Sequence, residues 1–283
     1  RKKNITLNGK KAKGDEILCE NDRIRFYLSD ETFASFQRKD DLSAVTDNAF
    51  SDPDIVYEDE HILIVNKPAG VLSQKATAED ISMNEICLRY LVAKNCYDPD
   101  DPSAFRPSVC NRLDRNTSGL LMIGKTAAGA RLLSDAIKNR TIRKFYAAIA
   151  LGSIDEPVIL NGYLKKDAKT NTVTIVSKKE ENADPVQTVL DPIAFTGELT
   201  LLRVELITGK PHQIRAHLRS IGHPILGDPK YGDPAINKKY SCSRQMLHAY
   251  RLEMPDLGAP LSGLSGKVFE IPFPEEFDRY MRV

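Results

Sequence analysis

The chain has 283 residues, 41% hydrophobic and 28% charged, which leaves room for one large domain or one plus a small module. It holds no run of about 18 apolar residues, which argues against a membrane-spanning helix, and its five cysteines form no C-x-x-C pair and suit reduced thiols in a cytoplasmic protein. Net charge is only +1, but residues 125–144 carry six Lys/Arg against one acid and residues 201–251 carry nine against three, so two basic segments can present one positive face.

The chain opens at Arg1 without Met, and its start is expected to be missing. Its first thirty-odd residues read as two or three short strands: "ITLNGK" closes on the tight-turn pair Asn8-Gly9, and "DRIRFYL" alternates charged and apolar residues. Residues 34–53 are polar and aperiodic and read as a linker, with the main domain beginning near Ile55. "HILIVNKPAGVL" is a buried strand that stops at Asn66-Lys67-Pro68. Three prolines and three aspartates make 97–107 a loop. "LLMIGK" is a short strand, and Thr126 caps a helix running to about Asn139. In the strand "RKFYAAIAL", alternation puts Tyr146 with Ala148 and Ala150, away from Phe145 and Ile149. Further strands lie at "TVTIV" and "LTLLRVELI". Strands outnumber helices without regular βα alternation, so a mixed or antiparallel α+β sheet is expected.

"PHQIRAHLRSIG" predicts a helix opening at Pro211 and ending at Gly222. At about 100° per residue, Ile214, Leu218 and Ile221 share one face, and His212, Arg215 and Arg219 share the opposite one. The second face is either a presented basic surface or an ordinary solvated one.

"NRLDRNTSGLLMIGKT", residues 111–126, contains G-x-x-x-x-G-K-T, the phosphate-loop pattern. The order of its parts is wrong for that role. Polar residues precede Gly119, and Leu120, Leu121, Met122 and Ile123 fill the space where backbone N–H groups would curl around phosphates. The same stretch holds Asp114 between Arg112 and Arg115. No nearby acid supplies a glycosidase partner, and the histidines show no zinc spacing. A structural ion pair with its neighbours is the simplest local reading. A nucleophile or base, its charged form favoured by a cation, is the functional one.

These motifs, together with "RKFYAAIALG", "LITGKPHQIRAHLRSIGHPILGDPKYG" and "QMLHAYRL", resemble the RluA/RluD-type RNA pseudouridine synthases over residues 54–283. The leading strands are similar to the second half of an alpha-L (S4-like) RNA-binding module. The expected domains are therefore a partial module at 1–33, a linker at 34–53 and a catalytic domain at 54–283. The resemblance implies an α+β fold with a mixed, largely antiparallel central sheet and flanking helices. It also implies a cofactor- and metal-free reaction that cuts the uracil–ribose bond, turns the base and rejoins it through carbon 5. By motif, Asp114 is the nucleophile, attacking the sugar or acting toward it as a base. Arg215 pairs with Asp114, Tyr146 stacks on the flipped base, and Leu247 packs beneath the site, unless it is plain core. Arg112 fills the gap the flipped nucleotide leaves. Unstacking a base costs a few kcal/mol, so an inserted guanidinium and an aromatic platform have a physical purpose. The implied partner is RNA, ribosomal from the large subunit ahead of transfer RNA, met by a cytoplasmic monomer. Asn111 stands where most relatives have His, and loop 97–107 is acidic. Both motivate a second hypothesis, an RNA-binding or ribosome-assembly factor whose catalysis is dispensable or lost.

Overall fold

The computed structural model describes residues 5–14, 16–32, 52–77, 79–101, 103–167, 170 and 172–281. Most of the expected linker lies outside the described residues. The chain divides into two compact units, Arg1–Asp41 and Leu42–Val283. In the first, strands β1 (Ile5–Leu7), β2 (Lys10–Lys11) and β3 (Ile24–Phe26) form an antiparallel sheet in the order β2-β1-β3. Asn8 (φ 49°) and Gly9 (φ 80°) make the expected tight turn. The Asn8 amide also ties that turn to Asp22, at 2.6 Å, and to the Arg23 N–H, at 2.8 Å.

The second unit is built on an eleven-stranded sheet. In chain order its elements are β4 (Ile55–Glu58), β5 (Ile62–Lys67), α1 (Met83–Ala93), β6 (Ser108–Val109), β7 (Ser118–Gly124), α2 (Ala127–Lys138), β8 (Arg143–Leu151) and β9 (Val158–Asp167). Then come β10 (Thr172–Val176), β11 (Ala183–Thr196), β12 (Leu199–Leu206), α3 (Gln213–Ser220), α4 (Pro234–Lys239), β13 (Leu247–Glu253), β14 (Val268–Glu270) and α5 (Glu275–Met281). The strands run β10-β9-β11-β12-β8-β13-β7-β5-β4, with β6 also beside β7 and β14 beside β13. Among the described residues every pairing between these strands is antiparallel except β7 with β13, so the expected α+β class holds.

The central strands are apolar on both faces because both are covered. Ile62 and Ile64 of β5, Leu120 and Met122 of β7, and Phe145, Ala147 and Ile149 of β8 pack on one side with Leu133 and Ala136 of α2 and Phe277 of α5. Leu63, Val65, Leu121, Ile123, Tyr146, Ala148 and Ala150 point to the other side, where α1 contributes Met83, Ile86 and Leu91 and α3 contributes Ile214 and Leu218. Four apolar residues in a row therefore signal a strand buried on both faces, not a phosphate cradle. Thr126 caps α2, its hydroxyl accepting the Gly129 N–H at 3.1 Å.

The parallel contact between β7 and β13 rests on Gly119. Its φ is +114°, and a Cβ there would lie 2.2 Å from the Ala249 carbonyl oxygen. Gly119→Ala is expected to cost about 2–3 kcal/mol through backbone strain and separation of the two strands, read as a lowered thermal midpoint.

The helix expected from Pro211 begins instead at Gln213, and Ile221, its C-cap, is 37% exposed where Ile214 and Leu218 are buried. His212 sits outside the helix in the left-handed region at φ 55°. The basic face divides: Arg219 is exposed and His212 half-buried, whereas Arg215 is not solvated. Arg215 is only 4% exposed, since it turns inward onto two carboxylates.

Candidate active site

Asp114 lies in the turn between β6 and β7, and the turn is tethered at Leu113, Arg115 and Thr117. Leu113 is clamped by Ser73, whose hydroxyl donates to the Leu113 carbonyl at 2.9 Å and accepts the Leu113 N–H at 3.0 Å. The Arg115 carbonyl accepts from Gly70 N–H at 2.9 Å and from the Lys67 ammonium at 3.1 Å. The Asp114 carbonyl accepts the Thr117 N–H at 3.0 Å, and the Gln245 amide donates to the Thr117 hydroxyl at 3.1 Å. A carboxylate on so pinned a turn is positioned before any ligand arrives.

Lys67 is wholly buried at the end of β5, and its three protons are directed at the carbonyls of Pro68, Val71 and Arg115, at 2.8–3.1 Å. Burial pushes its pKa down to about 7, opposed by the charge of Asp114.

The Asp114 side chain is 25% exposed, and its Oδ2 accepts from Arg215 Nη1 at 2.7 Å. The remaining edge of the guanidinium is taken by Asp228, which accepts from Nε at 2.7 Å and Nη2 at 2.9 Å. The Asp228 side chain has no exposed surface, and its Oδ1 also accepts the N–H groups of Lys230, at 2.8 Å, and Tyr231, at 3.0 Å. Burial opposes the charge on Arg215, but the bonds and charges of Asp228 and then Asp114 outweigh it and raise the pKa. Burial likewise works to raise the Asp228 pKa, and Arg215 with the two backbone donors brings it below the usual value. Arg215 also lies over the Tyr231 ring, 5.0 Å from its centroid. The Tyr231 hydroxyl accepts the Val173 N–H at 2.8 Å and meets His212 Nδ1 at 3.0 Å. The opposite imidazole nitrogen, Nε2, is 4.0 Å from Asp114 Oδ2. Desolvation lowers the His212 pKa, with Asp114 opposing, so the ring is neutral near pH 7.

Of the residues expected at a site, Asp114 and Arg215 meet directly. Burial, and then the charge of Asp114, raises the phenol pKa of Tyr146. Tyr146 is only 6% exposed, so it is a floor more than an open platform. Leu247 begins β13 opposite Ala148, in the same apolar cluster as Tyr146, which fits packing beneath the site and plain core equally. Arg112 is exposed and makes no hydrogen bond or ion pair among the described residues. The local ion-pair reading of Asp114 fails, because Arg115 turns to Asp80, at 3.6 Å. Asn111 spends both ends of its amide on β7, donating to the Leu120 carbonyl at 3.3 Å and accepting the Met122 N–H at 2.8 Å. It is a strut for the strand.

Asp228, Tyr231 and Lys67 carry no local signal of a role at the site, and the helical wheel marks His212 only as part of a polar face. Asp228 reads locally as the head of a Gly-Asp-Pro turn, and its two backbone bonds fit that reading. Nothing local reveals that it also faces an arginine thirteen residues earlier.

A family model described as RNA pseudouridylate synthase matches residues 61–220. An uncharacterised RNA pseudouridine synthase of Mycoplasma genitalium is 32% identical over 72% of this chain and 64% of its own length, so the chain spans less than two thirds of that relative. The ribosomal large subunit pseudouridine synthase D of Pseudomonas aeruginosa is 32% identical over 79% of this chain and 69% of its own. Among solved structures, human RNA pseudouridylate synthase domain containing 1 superposes with a TM-score of 0.60 at 27% identity, covering 80% of this chain and 84% of that one. The matched segment is more than half the chain and contains the pinned turn, Tyr146 and α3, so the chain belongs to the RNA pseudouridylate synthase family.

Proposed function

We propose that the chain isomerises uridine to pseudouridine in RNA, with Asp114 acting on the ribose of an extruded nucleotide. The observation that carries this reading is the half-open Asp114 carboxylate bound to a buried guanidinium that a second, fully buried carboxylate holds from behind. Attack on the sugar carbon and removal of a proton beside it both need a charged carboxylate at a fixed position. Tyr146 and Leu247 form the floor under the base, and Arg112, exposed and unpaired among the described residues, enters the gap left in the RNA. No cofactor takes part in this scheme. Large-subunit ribosomal RNA is the favoured substrate ahead of transfer RNA, on the strength of the name carried by the Pseudomonas aeruginosa relative. The first unit serves as part of an S4-like RNA-binding module, joined by a linker at 34–53. Its exposed Lys10, Lys11, Arg23 and Arg25 suit a phosphate backbone. Asn111 being a strut removes one motive for a catalytically lost binding factor.

Isomerisation moves the glycosidic bond from N1 to C5, so the hydrogen on C5 must leave and N1 must gain one. RNA transcribed with uridine tritiated at C5 is expected to release tritium to water when mixed with the purified protein. RNA that keeps its label on every transcript tried would remove the proposal. In the same assay Lys67→Met should slow release about 10–100-fold with little change in KM, because the Arg115 carbonyl and the turn behind Asp114 lose their anchor. An unchanged rate would show that Lys67 is mere core.

A further inference from the structure

We propose that His212 reads the 2′-hydroxyl of the ribose beside Asp114 and so sets a preference for ribonucleotides, an inference that rests on the RNA-acting reading above. The backbone that carries its imidazole is held from both sides. Before it, the Gln213 side chain pins the approach to α3. Its Oε1 accepts from the Thr208 hydroxyl at 2.8 Å and the Lys210 N–H at 3.1 Å, and its Nε2 donates to the Gln187 carbonyl at 2.9 Å and the Thr188 hydroxyl at 3.0 Å. After it, the His212 carbonyl accepts the Ala216 N–H at 2.9 Å, the first bond of α3. His212 itself is left-handed, a conformation that histidine enters more readily than most side chains but still at a cost.

The available protons decide which nitrogen carries the hydrogen. The Tyr231 hydroxyl accepts the Val173 N–H, and among the described residues its own proton has no acceptor but His212 Nδ1, 3.0 Å away. Nδ1 therefore accepts, and in the neutral ring the proton sits on Nε2. Tyr231 is buried, and its ring meets both the Arg215 guanidinium and, in a T at 5.7 Å, the His212 imidazole, so one phenol positions both groups. Nε2 has no hydrogen-bond partner among the described residues. It stands 4.0 Å from Asp114 Oδ2, too far for a hydrogen bond, and the His212 side chain is 16% exposed. A single oxygen can sit within about 2.8 Å of both atoms. That oxygen must accept from the imidazole and donate to the carboxylate, which a hydroxyl does and an ether or carbonyl cannot. In a nucleotide whose C1′ lies against Asp114, the 2′-hydroxyl is on the next carbon, and it is the group that separates RNA from DNA. Asp114 Oδ2 would then hold two bonds, from Arg215 and from this hydroxyl. Oδ1, which accepts no hydrogen bond among the described residues, is left to act on the sugar.

The test is fluorescence anisotropy of two fluorescein-labelled uridine dodecamers, one of ribose and one of 2′-deoxyribose, titrated with the full chain. The parent should favour the ribose oligomer. The ratio of the two affinities is the readout, since a general effect of a variant on folding or charge cancels in it. His212→Gly relieves the positive φ and should stay folded, yet its ratio should fall about five- to tenfold. His212→Gln places an amide N–H near the position of Nε2 and should recover part of the ratio. Tyr231→Phe removes only the hydroxyl that fixes the tautomer and should lower the ratio about two- to fivefold. Arg219→Ala, which removes an exposed guanidinium from the same helix, should match the parent. The proposal is overturned by a parent that does not distinguish the oligomers, by an equal fall in Arg219→Ala, or by an unchanged ratio in His212→Gly, as a water filling the gap would give. Tritium release separates the two ideas. A His212-dependent ribose preference without release removes the enzymatic reading and leaves the ribose contact, whereas release with a His212-independent preference does the reverse.

Discussion

Asp228→Ala is expected to destabilise the larger unit by about 3–5 kcal/mol, the cost of leaving one partner of a buried ion pair without the other. For a domain of this size that lowers the thermal midpoint by on the order of 10 °C. The Arg215 guanidinium would keep only its bond to Asp114, and the N–H groups of Lys230 and Tyr231 would lose their acceptor. The effect carries a pH signature. An unfolded aspartate titrates near 3.8, and Asp228 in the fold titrates lower. Its contribution is therefore complete at neutral pH, where both states are ionised, and is lost as pH falls through the folded value. Thermal midpoints of wild type and Asp228→Asn should differ most above about pH 4 and converge toward pH 2. A difference that stays constant across that range would mean the pair contributes by packing alone.

Asp114→Asn and Asp114→Ala should each reduce turnover by at least about 10³-fold, the scale seen when an enzyme loses its reacting group. Both should remain folded. Asp114 is 25% exposed, Arg215 retains its two bonds to Asp228, and the turn is held by backbone and neighbouring side chains. Thermal midpoints within a few degrees of wild type, together with lost tritium release, are the expected pair of results. Asn111→Ala offers a contrast. It removes two bonds to β7 and should lower stability by about 1–2 kcal/mol, with turnover by the folded fraction nearly intact.

Much of this architecture is legible from the residues, and the remainder is hidden for identifiable reasons. Two-sided burial of β5 and β7 shows in their unbroken apolar runs, and the Thr126 cap and Asn8-Gly9 turn show in single residue types. β11 escapes notice because Pro185 and Pro192 interrupt its pattern. Pro185 lies where β11 pairs only with β9, and Pro192 sits at a bulge, both places that tolerate a missing N–H. The helical wheel grouped Arg215 with Arg219 and His212 as a polar face, but a wheel cannot show that an acid thirteen residues on folds back to meet one of them. The pairing of Asp114 with Arg215 spans 101 residues, so motif resemblance suggested it where local chemistry favoured Arg112 or Arg115.

The most direct measurement incubates purified wild-type chain and its Asp114→Asn variant with unmodified large-subunit ribosomal RNA and maps pseudouridine nucleotide by nucleotide. The account predicts new pseudouridine at one or a few discrete positions with the wild type and none with the variant. Equal modification by both proteins, or none by the wild type on this RNA and on transfer RNA alike, would contradict it.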